Sequence, residues 1–304
     1  MNSVSVIITS SHEPQTIGKA LLSILNQDSS EILEILVVAP DEKTLEAARK
    51  TAANHQKIKF VKDPGQGKPT ALNLALKKVK GEILVLTDGD VEVAPQALSH
   101  LLEPFGFAQG MPFSDSKVGG SCGRPIPINN RNTILGFWSY FLTDSAHQIR
   151  LIRSQNNQFI ELSGYLLAIR KSLISPIPPN TLADDSYLSH LVAKSGFKTT
   201  YVPEAKVFVK YPTNLSDWFK QKRRSTFEFW QKEYFNDQSM RSPLKEAWWG
   251  LKFAKKFPKS LKEIFWLSLL FLARIILWLQ IFFLSLFPSF RKKLWVRIES
   301  TKEK

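Results

Sequence analysis

The first 86 residues alternate between short apolar, β-branched runs and stretches whose apolar residues recur at helical spacing. The strand-like runs cover residues 4–8, 35–38, 58–61 and 83–86, and the helical patterns cover residues 16–26, 43–54 and 70–79. Strands that alternate with helices fold as βαβ units, so we expect an α/β domain with a mostly parallel sheet and helices on both faces. Such sheets bind ligands beyond the carboxyl ends of their strands. We therefore look for functional residues in the loops that follow the strands.

Cysteine and histidine usage removes several classes of metal and disulfide protein. The chain has 304 residues, enough for one large domain or two small ones, and a single cysteine, Cys122. One cysteine excludes an intrachain disulfide framework and any multi-cysteine zinc or iron–sulfur site. The five histidines show neither an HxxxH nor an HExxH spacing, so we expect no histidine-built zinc site.

Positive charge is concentrated in the last third of the chain. Residues 1–204 contain 20 Lys and Arg against 19 Asp and Glu, a net charge of +1, whereas residues 205–304 contain 21 against 8, a net charge of +13. Such an asymmetry suggests either nucleic acid or an anionic membrane surface as the partner. The hydrophobic pattern of the same region favours membrane lipids, and we expect no nucleic-acid partner.

Residues 264–287 form a 24-residue apolar run that is interrupted only by Ser268, Arg274, Gln280 and Ser285. As a helix this run would extend about 36 Å, enough to cross a hydrocarbon core of about 30 Å. Arg274 near the bilayer centre would cost about 3 kcal/mol, which the Leu, Ile and Phe residues outweigh at roughly 0.3 to 0.6 kcal/mol each. Basic residues flank the run on both sides, so the positive-inside rule does not orient it. A membrane crossing and an interfacial or re-entrant arrangement both stay open.

A second helix is expected just before this run. Ser242 and Pro243 form a typical helix start, and the apolar residues that follow recur at helical spacing with lysines between them, up to Pro258. That pattern predicts an amphipathic helix suited to the headgroup layer of a membrane. No N-terminal signal precedes the first strand-like run, so we expect the α/β part to lie on the cytoplasmic side of the cell membrane.

An Asp-Gly-Asp sequence, Asp88 to Asp90, directly follows the fourth strand-like run. Two carboxylates separated by one glycine can converge on a single cation, because glycine lets the chain turn tightly. Oxygen ligands of this kind suit Mg²⁺ or Mn²⁺, which bind through one or two carboxylates together with substrate phosphates. The sequence therefore predicts a divalent-metal site after the fourth strand.

A glycine-rich turn follows the third strand-like run and ends at Lys68, next to a predicted helix N-terminus. The turn fails the P-loop pattern, because Lys62 and Pro69 stand where that pattern needs Gly and Ser or Thr. A lysine beside a helix N-terminus still suits a phosphate oxygen. We therefore expect Lys68 to lie close to a phosphate of the ligand.

Two charged segments lie near the end of the α/β part. Asp184 and Asp185 open a helical pattern, a position where carboxylates are also favoured as simple caps. A basic cluster at residues 221–225 precedes three aromatic residues, Phe227, Phe229 and Trp230. Arginine beside aromatic rings suits phosphate and sugar-ring recognition.

Taken together and in order, these segments resemble the family 2 glycosyltransferases of the GT-A fold over roughly residues 3–230. The matching segments are VSVIITSSHEP, GQGKPTALNLAL, TDGDV, SGYLLAIRKSL, LADD and QKRRS. The resemblance implies a metal-dependent, inverting glycosyltransferase with a nucleotide-diphosphate sugar donor and a lipid-linked or membrane-proximal glycan acceptor. It also implies a catalytic domain over residues 1–235 and a membrane-association region over residues 236–304.

Carried over by position, the resemblance implies a role for each motif residue. The metal on the donor diphosphate would be bracketed by Asp88 and Asp90, and Asp185 would be the catalytic base, with Asp184 in the preceding acidic position. The nucleotide side would be lined by Lys68 and Asn73, with Asp41 reaching in from beside the family position. Gln221 and Arg224 would close over the diphosphate or the acceptor. The acceptor side would contain Gly164 and Trp230. Inverting sugar transfer needs one base for the acceptor hydroxyl and one Lewis acid for the departing diphosphate, and this set supplies both.

Three positions depart from the family pattern. Asp41 stands two positions beyond the place of the acidic residue that ends the second strand, Ser225 replaces the Trp of the Gln-x-x-Arg-Trp motif, and the first loop, residues 9–12, lacks the common proline. That Trp supports the acceptor sugar in processive polymerases, so its replacement by Ser225 disfavours a processive polysaccharide synthase, which is the second interpretation within the family. A sugar-phosphate nucleotidyltransferase, a glycoside hydrolase and a non-catalytic binding module are the alternatives from other classes.

Overall fold

A computed structural model describes residues 3–27, 31–53, 55–106, 117–227, 242–286 and 298–302. Its centre is an eight-stranded mixed sheet with the strand order β3-β2-β1-β4-β7-β6-β8-β5. The strands are β1 (Val4–Thr9), β2 (Ile32–Ala39), β3 (Ile58–Lys62), β4 (Ile83–Asp88), β5 (Val91–Val93), β6 (Val118–Pro127), β7 (Leu166–Arg170) and β8 (Lys198–Val209). The helices are α1 (Ile17–Leu25), α2 (Glu42–Ala52), α3 (Lys68–Leu76), α4 (Ala97–Leu102), α5 (Ile134–Gln155), α6 (Asp184–Lys194), α7 (Leu215–Phe227), α8 (Pro243–Ala254) and α9 (Leu261–Ser285).

The first four predicted strands form the parallel half of the sheet, as expected from their alternation with helices. β1 pairs in parallel with both β2 and β4, and β2 pairs in parallel with β3. In this register Thr9 lies beside Val38 on one side and beside Asp88 on the other. The carboxyl ends of β1, β2 and β4 therefore meet at one edge, and the loops that follow them share that edge.

The second half of the sheet is antiparallel around β7, a feature that the alternation of elements did not predict. β7 runs antiparallel to both β4 and β6, and β8 runs parallel to β6 and antiparallel to β5. Because β7 is reversed, its amino-terminal end at Leu166 lies beside Thr87, close to the carboxyl end of β4. The loop that precedes β7 is thereby brought to the same edge as the Asp-Gly-Asp turn.

Successive residues of the central strands point to opposite faces of the sheet, and each face is covered by helices. Val6 and Ile8 contribute to the core on one face, which includes apolar residues of α1, α2 and α4. Ile7 belongs to the core on the other face, with apolar residues of α3 and α6. Two buried faces explain why the strands read as continuous apolar runs rather than as alternating ones.

The two C-terminal helices pack on the α/β domain through a third apolar cluster. Trp266, Leu267 and Leu270 of α9 are buried against Phe137 and other aromatic residues of α5 and α7. The predicted start of α8 is confirmed, because the Ser242 side chain caps the helix by accepting a hydrogen bond from the Lys245 backbone N–H. α9 begins at residue 261 rather than 264, since Ser260 caps it in the same way. It is long and apolar enough to cross a membrane.

The predicted domain boundary at residue 235 lies outside the described residues and stays a prediction.

Candidate active site

The two acidic segments that are far apart in sequence meet at one lysine. Asp88 is the last residue of β4, and Asp184 is the first residue of α6. The Lys68 ammonium, at the start of α3, lies 2.8 Å from Asp88 Oδ1 and 3.3 Å from Asp184 Oδ2. Burial lowers the pKa of Lys68, but Asp184 and Asp88 outweigh it and the pKa is raised overall. Burial raises the pKa of Asp184 despite the opposing effect of Lys68.

Local backbone geometry places Lys68 at this position. Gly65 and Gly67 adopt positive φ angles of 70° and 97°, which lie in the region that glycine tolerates and L side chains rarely adopt. These two residues turn the chain from β3 into α3, so that the helix begins directly at the sheet edge. The predicted placement of Lys68 beside a helix N-terminus is therefore what the structure shows.

Asp185 is held in place by backbone hydrogen bonds. The Gly164 N–H donates to Asp185 Oδ2 at 2.9 Å, and the Ser186 N–H donates to Asp185 Oδ1 at 3.0 Å. A side chain at position 164 would crowd this carboxylate, because an added Cβ would lie 3.0 Å from Asp185 Oδ2. Gly164 lies two residues before the first residue of the reversed strand β7, and it therefore positions Asp185 rather than merely connecting two elements.

The second carboxylate of the Asp-Gly-Asp turn has partners that sequence reasoning missed. The Lys302 ammonium contacts both Asp90 Oδ2 and Glu13 Oε1. Glu13 also accepts a 2.6 Å hydrogen bond from the Ser10 hydroxyl. Burial, and then the charge of Asp90, raise the pKa of Glu13 to about 7 despite Lys302. Glu13 lies in the loop after β1, where functional residues were expected, but Lys302 lies more than 200 residues away from Asp90 and nothing local points to it.

Asp88 and Asp90 are suited to hold a divalent cation together with a substrate phosphate. Each carboxylate already binds an ammonium group, Lys68 on Asp88 and Lys302 on Asp90, so each is positioned to accept a positive charge. Among the described residues, no group of three or more His, Cys, Asp or Glu side chains is arranged as a metal cage. Mg²⁺ is usually bound by one or two protein carboxylates, and substrate phosphates complete its coordination shell. Two carboxylates without further protein ligands fit this mode of binding.

Two residues predicted for the nucleotide side make hydrogen bonds within the protein. Asn73 forms two hydrogen bonds with the Ile177 backbone, donating at 2.7 Å and accepting at 2.8 Å. Asp41 caps α2 by accepting from Thr44, and it also accepts a 2.8 Å hydrogen bond from the His12 backbone N–H. Neither Asn73 nor Asp41 lines the cavity that contains the carboxylates. Their contact with a nucleotide stays a prediction.

A cavity of about 2160 Å³ connects the carboxylate edge with the residues of α7. It is lined by the predicted site residues Lys68, Asp88, Asp90, Gly164, Asp184, Asp185, Gln221 and Arg224. The Gln221 Oε1 atom is buried and has no hydrogen-bond partner among the described residues. A buried acceptor without a partner is costly, so it is available to a ligand donor. The predicted acceptor-side residue Trp230 lies outside the described residues.

The cavity also contains a tyrosine that the motifs did not reveal. Tyr165 directly follows Gly164 and lines the cavity beside the Asp-Gly-Asp turn. Burial, followed by the charges of Asp90 and Asp88, raises the pKa of Tyr165 to about 12. Its ring meets Tyr211 edge-on, with ring centroids 5.9 Å apart. A neutral phenol at this position can donate a hydrogen bond to an anionic ligand.

The same cavity continues to the C-terminal helices. There it is lined by Trp249 and Gly250 of α8 and by apolar residues of α9. Arg274 also lines it, paired with Glu246 of α8, and the Trp278 indole N–H donates to the same Glu246 carboxylate at 3.1 Å. Arg274 is therefore paired with a carboxylate within the protein, which lowers the free-energy cost that an unpaired arginine would have in lipid.

The chain is similar to known glycosyltransferases. The family model described as "Glycosyltransferase like family 2" matches residues 2–227. An N-acetylglucosaminyltransferase of Mesorhizobium japonicum is 25% identical over 256 residues, covering 77% of this chain and 56% of that protein. One from Rhizobium meliloti is 25% identical over 262 residues, covering 79% and 58% respectively. The chain thus spans a little under three fifths of the length of these relatives.

Solved structures share the fold. The mannosyltransferase PcManGT from Pyrobaculum calidifontis, solved with GDP-Man and Mn²⁺, superposes with a TM-score of 0.63 at 20% identity, covering 96% of this chain and 83% of that one. Glucosyl-3-phosphoglycerate synthase from Mycobacterium tuberculosis, solved with Mn²⁺ and UDP, gives a TM-score of 0.52 at 14% identity, covering 78% and 80%. The predicted GT-A-like α/β fold is confirmed. With the family model matched over residues 2–227, the chain belongs to glycosyltransferase family 2, an inverting family of nucleotide-sugar-dependent enzymes.

Proposed function

We propose that this protein transfers a sugar, with inversion, from a nucleoside-diphosphate sugar to a lipid-linked or membrane-proximal glycan at the cytoplasmic face of the cell membrane. The observation that supports this most directly is the Lys68 ammonium between Asp88 and Asp184. Through that contact, the Asp-Gly-Asp turn and the start of α6 face one cavity. Family membership removes the nucleotidyltransferase, hydrolase and binding-module alternatives.

Asp185 is the residue that we propose as the catalytic base. Two backbone N–H groups hold its carboxylate, and it lines the cavity beside Asp184. A fixed carboxylate can take the proton of an acceptor hydroxyl as that oxygen attacks the anomeric carbon. Since the bond to the diphosphate breaks on the opposite side of that carbon, one base is sufficient and no covalent nucleophile is needed.

The donor diphosphate is proposed to bind between the basic residues of the cavity and the Asp-Gly-Asp turn. Lys68 and Arg224 would neutralise its charge, and the Gln221 side chain would hydrogen-bond to the donor or the acceptor. A divalent cation, Mg²⁺ or Mn²⁺, would be held by Asp88 and Asp90, and when bound it would stabilise the departing nucleoside diphosphate. The Mn²⁺ in PcManGT and in the glucosyl-3-phosphoglycerate synthase supports this proposal.

The acceptor is proposed to reach the base from the side of α8 and α9. The cavity runs from Asp185 past Trp249 of α8 to Leu270, Phe271 and Trp278 of α9. An apolar passage of this kind suits a lipid-linked acceptor better than a soluble sugar. Processive synthesis remains the second reading within the family, and repeated additions to one acceptor would distinguish it.

The test is to separate chemistry from binding with Asp185→Asn in the purified, detergent-solubilised full chain. The screen includes GDP-mannose and a nucleotide-linked N-acetylglucosamine, since the relatives carry these two sugars in their names. We expect transfer to fall by 10²–10⁴-fold, the usual contribution of a general base, while the nucleoside diphosphate still raises the melting temperature. Glu46, an exposed carboxylate on α2, provides the matched control. Glu46→Gln should leave both the transfer rate and the rise in melting temperature unchanged. Transfer at the normal rate by Asp185→Asn would remove Asp185 from the mechanism.

A further inference from the structure

α9 presents two apolar faces that point in opposite directions. Its inner face is buried on the catalytic domain along most of its length, and consists of Trp266, Leu267, Leu270, Ala273, Leu277 and Ile281. The near end of this face packs against α5, where the Trp138 indole N–H donates to the Trp266 carbonyl at 2.7 Å. The far end packs against Leu182 and Phe227. Trp266 at the near end and Ile281 at the far end are fifteen residues apart, about 22 Å along the helix. α9 therefore lies along the domain surface rather than projecting from it.

The outer face of α9 is an exposed apolar stripe. Its exposed large residues are Leu261, Ile264, Phe265, Leu272, Ile275, Ile276, Leu279, Phe282 and Phe283, and the C-cap residue Leu286 continues it. At 100° per residue these positions fall within a sector about 120° wide, opposite the inner face. Arg274 and Gln280 lie outside that sector, so Ser268 is the one polar residue in it. An exposed apolar stripe that extends over the length of a helix indicates a partner with an apolar surface.

We infer that α9 does not cross the bilayer but lies along the surface of an anionic membrane, with its outer face in the lipid and both of its ends on the side of the catalytic domain. The proposal concerns how the protein meets the membrane and does not depend on the assignment of donor, acceptor or base. It decides between the two arrangements that the sequence left open.

The segments on either side of α9 both contact the catalytic domain. Before it, Glu246 of α8 pairs with Arg274. After it, the segment 298–302 reaches the catalytic cavity, where Lys302 contacts Asp90 and the Ser300 N–H donates to Asp217 at 3.0 Å. If α9 crossed the bilayer, this second segment would lie on the far side from the domain that it contacts.

The eleven residues between Leu286 and Ile298 are too few and too basic to recross the membrane. As a helix they would extend about 17 Å, well short of a hydrocarbon core of about 30 Å. An extended chain would be long enough, but a single extended segment in lipid leaves its backbone polar groups unpaired. Four of the eleven residues are also Arg or Lys. Only an α9 with both ends on one side is consistent with the contacts of Lys302 and Ser300.

Charge identifies the partner as an anionic lipid surface rather than another apolar protein. Residues 205–304 carry a net charge of +13, and basic residues flank α9 on both sides. α8 adds an exposed apolar edge, made of Leu244, Trp248 and Leu251, and Lys252 lies 5.2 Å from the Trp248 ring centroid. Tryptophan and lysine beside an apolar helix face are typical of helices that lie in the headgroup region.

The first experiment determines on which side the two flanks of α9 lie. Single cysteines are introduced by Lys259→Cys before α9 and Lys292→Cys after it, and a membrane-impermeant maleimide is applied to intact spheroplasts and to inside-out vesicles of cells that express the full chain. The buried Cys122 of the unmodified chain provides the background. We expect both sites to react in inside-out vesicles and neither in spheroplasts. Reaction of the two sites from opposite sides would establish a crossing and overturn the inference, as would protection of Lys292→Cys from both sides.

The second experiment tests the lipid-facing stripe by flotation with vesicles of phosphatidylcholine, with and without about 30% phosphatidylglycerol. Phe265→Ser combined with Phe283→Ser should weaken partitioning by about tenfold or more, because two large apolar side chains leave the lipid. Leu22→Ser combined with Leu33→Ser removes two side chains of similar exposure from elsewhere on the domain, and should leave partitioning unchanged. We also expect weaker flotation without the anionic lipid. Unchanged flotation of the Phe variant, or failure of the unmodified chain to float with anionic vesicles, would overturn the inference.

Discussion

Replacing Lys302 by methionine should tighten the binding of Mn²⁺ to the free protein. The Lys302 ammonium contacts both Asp90 and Glu13, and its side chain is 17% exposed. A cation that binds to the same carboxylate of Asp90 competes with that ammonium for its negative charge. A hydrogen bond to a charged group contributes about 1.5–3 kcal/mol. Removing the competing ammonium should therefore strengthen Mn²⁺ binding by roughly 10- to 150-fold.

The measurement is a titration of Mn²⁺ into the full chain without donor, followed by calorimetry or by the electron paramagnetic resonance signal of free Mn²⁺. Lys59→Met is the matched control, because Lys59 forms a 2.6 Å ion pair with Glu34 and does not line the catalytic cavity. It should leave the Mn²⁺ affinity unchanged. Unchanged or weaker binding by Lys302→Met would refute the reasoning, since it would show that Lys302 and the cation do not compete for Asp90.

Two further predictions concern Glu13 and Gly164. The pKa of Glu13 is raised from 4.5 to about 7, so the folded state binds this proton more tightly than the unfolded state and stability should fall as pH rises from about 4.5 to 7. Across this pH range, the free energy of unfolding in urea should fall by about 1–3 kcal/mol less for Glu13→Gln than for the parent protein. An equal decrease in the two proteins would contradict this. Gly164→Ala should lower kcat by about tenfold or more with little change in KM for the donor, because the added Cβ would lie 3.0 Å from Asp185 Oδ2 and would displace the base. A kcat equal to that of the parent protein would show that the position of Asp185 tolerates the shift.

Much of the fold follows from local sequence patterns. The alternation of apolar runs and helical spacing gives β1 to β4 with the helices between them, since each pattern reflects which faces of one element are buried. Local capping also fixes several boundaries, as Gly67 does for α3 and Ser242 does for α8. The Asp-Gly-Asp turn and the start of α6 are likewise identified by motifs of a few residues.

Local sequence patterns therefore define β1 to β4, the helices between them and the charged motifs at their ends, because these features depend on neighbours within a few residues. Three features follow only from long-range packing: the reversal of β7, the position of Lys68 between Asp88 and Asp184, and the contact of Lys302 with Glu13 across 289 positions of sequence. Tertiary packing also determines which side of α9 faces the domain, since both opposite faces of this helix are apolar and its sequence does not indicate which of them is buried. These contacts join residues that have no local relation, and only the packing of the whole chain brings them together.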